Sequence, residues 1–485
     1  MGGDGDSSTT SSSSALTPQH TRQKPPPKRF VKSQIPDAIL HNETLNAAMS
    51  LLPKNYNFEI HKLLHRVSTI NARHVSLQFP DGLLLFSLPI SDILLAFANS
   101  VTDVSVLSDT SFGACCIDDL SARSLGSDLL VHFGHSCLVP ISCSTVPAHY
   151  VFVEITIDTN LLVETLKLNF LGSGVMVIIL AGTIQFAGGI RDAKGRLEEL
   201  GFRVVVPQVR PLSKGEVLGC TAPRVPLDSY CSGNDGQGKE TVGVFVADGR
   251  FHMEAFMIAN PGLKRVFRYD PYMGKLILEE YDQRGMRESR KKAIEKAREV
   301  LGEKGSNGCW GIVLGTLGRQ GNPRIMVRLE KMMKERGYEC FVVLMSEISP
   351  VKIALFEDSV DAWIQIACPR LSIDWGESFH KPFLTPFEAE IALGCIPGWW
   401  ERGVQTYKDR QKKDDPECAK GSCTNCSCTS NGDNLKGEEI TDYPMDYYAE
   451  DGGDWNSCYV KKPASARPSR RNPASTCAVG VGGNP

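Results

Sequence analysis

Three cysteines stand where their type and setting allow chemistry: Cys115 in DTSFGACCIDDL, Cys220 in SKGEVLGCTAP and Cys368 in WIQIACPRLSIDWG. Each follows a β-rich stretch and has Gly or Pro nearby, where backbone turns away from a strand end. A lone cysteine is most simply a buried core residue, because the thiol packs as a small hydrophobe. Three at comparable loop positions point instead to a shared site. They are 105 and 148 residues apart, so only three domains packed in a triangle can bring them together. Three thiolates suit a 4Fe-4S cluster with one iron lacking a protein ligand, since thiolates are the usual cluster ligands and the vacant position can take a substrate. A three-cysteine zinc site with an open position competes, although structural zinc normally draws on short C-x-x-C pairs. Spacing alone leaves cluster, zinc and ordinary thiols all open.

The other thiols read differently. Cys116 adjoins Cys115 but points elsewhere, and is expected to pack. Cys137 follows His132 and His135 in VHFGHSC, where a hydrogen-bonded turn is the expectation over a metal site. Cys418, Cys423 and Cys426 have the C-x4-C-x2-C spacing of a plant-type ferredoxin, with Cys428 and Cys458 as candidates for the fourth ligand. That stretch lies between DRQKKDDPE and TSNGDNLKGEE, with no apolar sequence to shield a cluster, so an exposed, flexible insertion is expected.

The elements that must position these thiols form a loose threefold repeat. HVSLQFPDGLLLF, VMVIILAGTIQFAGGI and WGIVLGTLGRQGNPRIM each read as a strand, a small or polar loop and the start of another element. After them come the second strands VTDVSVLSD, FRVVVPQV and CFVVLMSEI. Helical stretches such as RDAKGRLEELG and NPRIMVRLEKMMKERG lie between, the latter stopping at a glycine. Alternating strand and helix imply βαβ units, parallel sheet and right-handed crossovers. The expected fold is α/β: three similar domains in a triangle, each giving one loop cysteine near the carboxyl ends of its strands. Expected bounds are a disordered tail over 1–33, domains over 34–147, 148–262 and 263–400, and a polar, Cys-containing insertion and tail over 401–485. Within that last region YPMDYYA docks back onto the body, and the chain beyond Lys461 is again tail-like.

A net charge of −3 and a pI near 6.4 argue against a nucleic-acid-binding face. Hydrophobic content of 42% without an uncharged apolar run of 18 residues gives no membrane span. The N-terminus lacks a signal-peptide core, so a cytoplasmic location is expected, with the 16 cysteines mostly reduced.

Long, irregular motifs carry a resemblance. SDTSFGACCIDDLSARSLGSDLLVHFGHSCLVP, PLSKGEVLGCTAP, ADGRFHMEAFMIANP, YDPY, GTLGRQGNP, ACPRLSIDWG and YPMDYYA resemble the diphthamide synthesis family in its eukaryotic subunit 1 form, a component of 2-(3-amino-3-carboxypropyl)histidine synthase. The likeness runs from about Ser33 to Ala449, apart from an interruption near Cys395–Thr441. It implies that Cys115, Cys220 and Cys368 are the ligands of a 4Fe-4S cluster. It further implies reductive cleavage of S-adenosylmethionine without the C-x3-C-x2-C loop of most radical enzymes, a loop this chain also lacks. The 3-amino-3-carboxypropyl radical so formed adds to the imidazole C2 of a histidine in elongation factor 2, and methylthioadenosine is released. Implied partners are diphthamide biosynthesis protein 2, as a heterodimer, and a small metal-binding electron donor. The alternative is an accessory or scaffold subunit of the same complex, but the full cysteine set favours the catalytic one.

A sulfonium with an amino-acid tail needs a donor for its carboxylate and an acceptor for its ammonium, roles suited to Arg and Asp. Asp81, Thr183, Gln185, Asp248, Arg250, Arg319 and Gln320 all follow strands and are the candidates, with Arg319 and Asp248 foremost. The competing reading is that such residues cap turns and helices.

Overall fold

The computed structural model describes residues 35–108, 116–134, 139–227, 240–304, 308–356, 358–401 and 443–458. Cys115, His135, Cys137, the Cys418–Cys428 stretch and both tails expected to be disordered lie outside the described residues. Among those residues, no helix is long and apolar enough to cross a membrane.

Fifteen strands are described: β1 (Tyr56–Asn57), β2 (His74–Phe79), β3 (Asp103–Ser108), β4 (Leu129–Phe133), β5 (Ala148–Val151), β6 (Glu154–Ile155), β7 (Val175–Gly182), β8 (Arg203–Val205), β9 (Glu240–Val246), β10 (Val266–Asp270), β11 (Lys275–Glu279), β12 (Cys309–Gly315), β13 (Glu339–Met345), β14 (Ala362–Ile366) and β15 (Phe383–Leu384). They build three main sheets, in the orders β3-β2-β4-β5, β8-β7-β9-β10-β11 and β13-β12-β14-β15. Every pair in these sheets is parallel except β10 with β11. Counting within each sheet gives one order three times, second-first-third-fourth, with β11 added at one edge. The loose sequence repeat is therefore a topological repeat. Fully buried strands such as β4 and β14 read as continuous apolar runs because parallel sheets are covered on both faces.

Strand pairing moves both internal seams expected from the sequence. β5 begins at Ala148 yet pairs with β4, so the first sheet continues past 147. β10 and β11 lie beyond 262 yet extend the second sheet, because β10 pairs with β9. A fourth strand carries no mark in the sequence of which sheet it will join. The cysteines also differ in topology. Cys115 and Cys220 fall between the second and third strands of their units, whereas Cys368 follows the third strand, two residues past β14.

Local sequence accounts for the helices that flank the sheets. Asn322 caps Pro323–Glu335 by accepting from the Arg324 N–H, and Pro323 supplies a preset φ at the first turn. Gly337, at φ 77°, lets the chain leave that helix in the left-handed region. Ile60, Leu63, Leu64 and Val67 form the buried stripe of Ile60–Ile70.

The three units close a ring of contacts. Between the first and second, the Gln185 side-chain amide donates to the Gly134 carbonyl, and the Tyr56 and Tyr272 hydroxyls lie 2.8 Å apart. Between the second and third, Arg370 donates to Glu254 Oε2 at 2.6 Å and to the Phe251 carbonyl at 2.7 Å. Between the third and first, Arg319 reaches Asp119.

Candidate functional site

Cys220 is placed by an extension of β7. Gly182, the last residue of that strand, donates to the Gly215 carbonyl at 2.8 Å and accepts from the Val217 N–H at 3.1 Å. The chain then turns through Gly219 and buries Cys220 to 3% exposure. Gly219 is required sterically, since a Cβ there would overlap the Phe251 ring. The other side of the matter is Arg370, whose guanidinium lies 4.4 Å from the centre of that same ring. Arg370 begins the short helix Arg370–Trp375 immediately after Cys368 and Pro369, so one aromatic ring joins the turns bearing two candidate ligands.

Cys368 is 7% exposed and its turn is held from beneath by Gln365. This fully buried glutamine on β14 donates to the Cys368 carbonyl at 3.0 Å and accepts from the Ala367 N–H at 2.9 Å. Gln78 on β2 does the same work in the first unit. It donates to the Cys116 carbonyl at 2.8 Å, accepts from the Asp118 N–H at 3.0 Å, and meets His132 Nδ1 at 2.9 Å. A polar residue inside an apolar strand, SLQF and WIQI, was the available signal for both, because a buried amide must be satisfied.

Cys116, Cys220, Tyr447 and Tyr448 belong to one apolar cluster. Cys220 and Pro369 line one small cavity with Tyr447. Loops from all three units thus converge where two buried thiols and the segment next to Cys115 stand. Soft sulfur donors in apolar surroundings match the chemistry of an iron–sulfur cluster, and neither described thiol belongs to a C-x-x-C pair of the structural-zinc kind. Among the described residues no group of three His, Cys, Asp or Glu could hold a metal ion; the third proposed thiol, Cys115, lies outside them.

The residues considered for S-adenosylmethionine lie at carboxyl ends of strands but are engaged to different degrees. Asp81 opens a short helical turn after β2 and is exposed; Thr183, after β7, is buried. Asp248 is exposed beyond β9, and its carbonyl accepts from Arg268 at 3.1 Å. Arg250 pairs with Glu279 at 2.7 Å. Gln320 is buried and its carbonyl accepts from the Tyr447 hydroxyl at 2.8 Å. Arg319 is committed to Asp119 through two 2.8 Å bonds and to the Cys143 carbonyl at 3.2 Å. Burial by itself pushes the Asp119 carboxyl up, but hydrogen bonds from Arg319 and Thr145 outweigh it and hold that carboxyl below the usual aspartate range. Sequence reasoning missed Asp119, 200 positions from its partner.

The sequence profile of the diphthamide synthesis protein family matches residues 79–404. The protein named 2-(3-amino-3-carboxypropyl)histidine synthase subunit 1 from Gibberella zeae is 44% identical over 420 residues, covering 87% of this chain and 78% of that protein. Its namesake from Gallus gallus is 41% identical over 443 residues, covering 91% and 92%. The crystal structure of Dph2 from Pyrococcus horikoshii aligns with a TM-score of 0.54 and 26% identity, over 71% of this chain and 93% of that one. A second crystal structure of that protein, with a 4Fe-4S cluster, aligns with a TM-score of 0.54 and 25% identity, over 70% and 92%. With three sheets of one topology, converging cysteine loops and these similarities, the chain belongs to the diphthamide synthesis protein family.

Proposed function

We propose that the chain is the catalytic subunit of the first step of diphthamide biosynthesis. It transfers a 3-amino-3-carboxypropyl group from S-adenosylmethionine to the imidazole C2 of a histidine in elongation factor 2. The observation that carries this reading is the burial of Cys220 and Cys368, with Cys220 sharing a cavity with Pro369, the residue after Cys368, and an apolar cluster with Cys116, the residue after Cys115. These three thiolates hold a 4Fe-4S cluster. When bound, it supplies the electron that cleaves the sulfonium in a non-classical radical reaction.

The chain's own residues bind, orient and exclude water. Asp248 accepts from the ammonium of the cosubstrate's amino-acid tail, and Arg250 donates to its carboxylate. Asp81, Thr183 and Gln320 complete the pocket at the carboxyl ends of their strands, where open α/β sheets take ligands. Arg319 acts through Asp119 by holding the first unit against the third. The relatives' name, subunit 1, supports assembly with a second subunit. In this reading that subunit is diphthamide biosynthesis protein 2, a small metal-binding protein donates electrons, and the complex works in the cytoplasm. The cluster in the related Dph2 crystal structure supports the choice of cofactor.

The test is anaerobic purification of the complex, iron and sulfide analysis, and methylthioadenosine release with dithionite as reductant. About four irons per chain are expected, with aminocarboxypropyl transfer lost in an assembled complex carrying Cys220→Ala. Transfer retained by that variant would assign the chemistry to the other subunit and make this chain accessory.

A further inference from the structure

The segment 443–458 lies outside the family profile match at 79–404, yet it touches Cys116 in the first unit, the turn beside Cys220 in the second, and the loop after β12 in the third. It enters along the second unit: Ala222 donates to the Met445 carbonyl at 3.0 Å, and Thr221 bridges antiparallel to Asp446. Tyr447 then donates its hydroxyl to the Gln320 carbonyl at 2.8 Å, in the third-unit loop whose Gly318 lies against the Cys116 and Ile117 carbonyls. Tyr448 does two things at once. Its N–H donates to Thr221 Oγ1 at 2.9 Å, one residue from Cys220, and its hydroxyl lies 3.0 Å from Cys116 Sγ, one residue from Cys115. Its ring is buried and meets Tyr447 edge-on, with centroids 4.8 Å apart.

We propose that Tyr448 is a positioning residue for the cysteine site, a single strut setting Cys116 of the first unit relative to Thr221 and Cys220 of the second. The inference rests on the proposed cluster reading, but its geometry concerns residues of this chain alone. Backbone hydrogen bonds to Thr221, Ala222 and Arg210 fasten the Tyr448 segment to the second unit, so its hydroxyl presents Cys116 with a reference point belonging to a different unit. Cys116 is then more than packing: its sulfur is the first-unit end of the strut. Tyr443, in the same segment, bonds Glu388 Oε1 at 2.8 Å and serves anchorage, with no contact to Cys116 or Thr221 among those described.

The experiment compares full-length Tyr448→Phe, Cys116→Ala, their combination and Tyr443→Phe. Two quantities are read: the rate of iron loss to a chelator from anaerobically loaded protein, and hydrogen exchange of the Asp118–Ala122 amides in iron-free protein. Phe keeps the ring, so Tyr448→Phe should melt near wild type, lose iron at least fivefold faster and exchange faster at 118–122. Cys116→Ala should match it, still binding iron at isolation, and the combination should add nothing, since both remove one contact. Tyr443→Phe should melt lower while holding iron at the wild-type rate. Wild-type iron loss and exchange in Tyr448→Phe, additive effects in the combination, or equal acceleration by Tyr443→Phe would each overturn the proposal. Absence of iron from the wild-type protein would refute the cluster reading, and the exchange measurement would then decide the strut by itself.

Discussion

Arg319 and Asp119, from different units, meet through two parallel hydrogen bonds of 2.8 Å, with the carboxylate fully buried and the guanidinium partly exposed. Arg319→Leu removes the charge partner of a buried carboxylate and should cost about 2–4 kcal/mol. Adding Asp119→Asn should recover part of that loss by removing the buried charge. Because the folded-state pKa of Asp119 is depressed, the pair's contribution is fully present above the ordinary aspartate value of 3.8 and is lost as pH falls through the lower folded value. Urea unfolding of wild type and Arg319→Leu should therefore differ by a constant amount from pH 5 to pH 8 and converge below pH 3.8. A gap that persists unchanged at pH 2 would show that charge is not what the pair contributes.

Iron content tests the assignment of the thiols. Cys115→Ala, Cys220→Ala and Cys368→Ala should each remove most of the bound iron, because a site with three protein ligands has none to spare. Cys116→Ala should retain most of its iron at isolation. Loss of iron from Cys116→Ala with retention in Cys115→Ala would exchange the roles of the adjacent pair.

The buried glutamines give a third prediction. Gln365→Leu keeps the approximate volume but takes the acceptor from the buried Ala367 N–H and leaves the Cys368 carbonyl only its bond from the Leu371 N–H, and should destabilise the chain by about 1–3 kcal/mol. Its iron content should fall more than that of a variant equally destabilised in the first helices, such as Leu63→Ala. Matched iron content at matched stability would reduce Gln365 to a core residue.

His149 on β5 supplies a pH effect away from the site. Burial lowers its pKa to about 4, with the nearby Lys62 charge adding to the shift. A histidine with a depressed folded pKa stabilises the fold above its unfolded value of 6.5, and the contribution is lost as pH falls from 6.5 towards 4. His149→Gln should flatten the stability profile across that window by about 1–2 kcal/mol, allowing for the ring's partial exposure. Thermal unfolding at pH 7.5, 6 and 5 measures it; an identical slope in the variant would place the titration elsewhere.

What the sequence revealed was local. HVSLQF, VMVIIL and WGIVLG announce first strands because strand burial is written in consecutive residues, and Leu129–Phe133 folds as the strand its apolar run predicts. NPRIMVRLEKMMKERG carries its own cap and stop. Pairings between distant positions were invisible. Nothing near Asp119 points to Arg319, and nothing in VFRYD tells that β10 will join β9. Cys220 and Cys368 lie in loops as expected, but their places in the strand order differ, because periodicity does not count strands within a sheet. Cys115 and Cys137, one a proposed ligand and one expected in a turn, lie outside the described residues.

The order of Tyr448 along the chain has a consequence for synthesis. A nascent polypeptide folds from its N-terminus while the rest is still on the ribosome. The first two units can collapse around their own sheets before the third exists, but the residue bridging Thr221 and Cys116 is translated after all three. Until then the loops around Cys116 and Cys220 lack their common brace. If this chain takes up a cluster as proposed, a product released before Tyr448 is made should hold it less durably than the full chain.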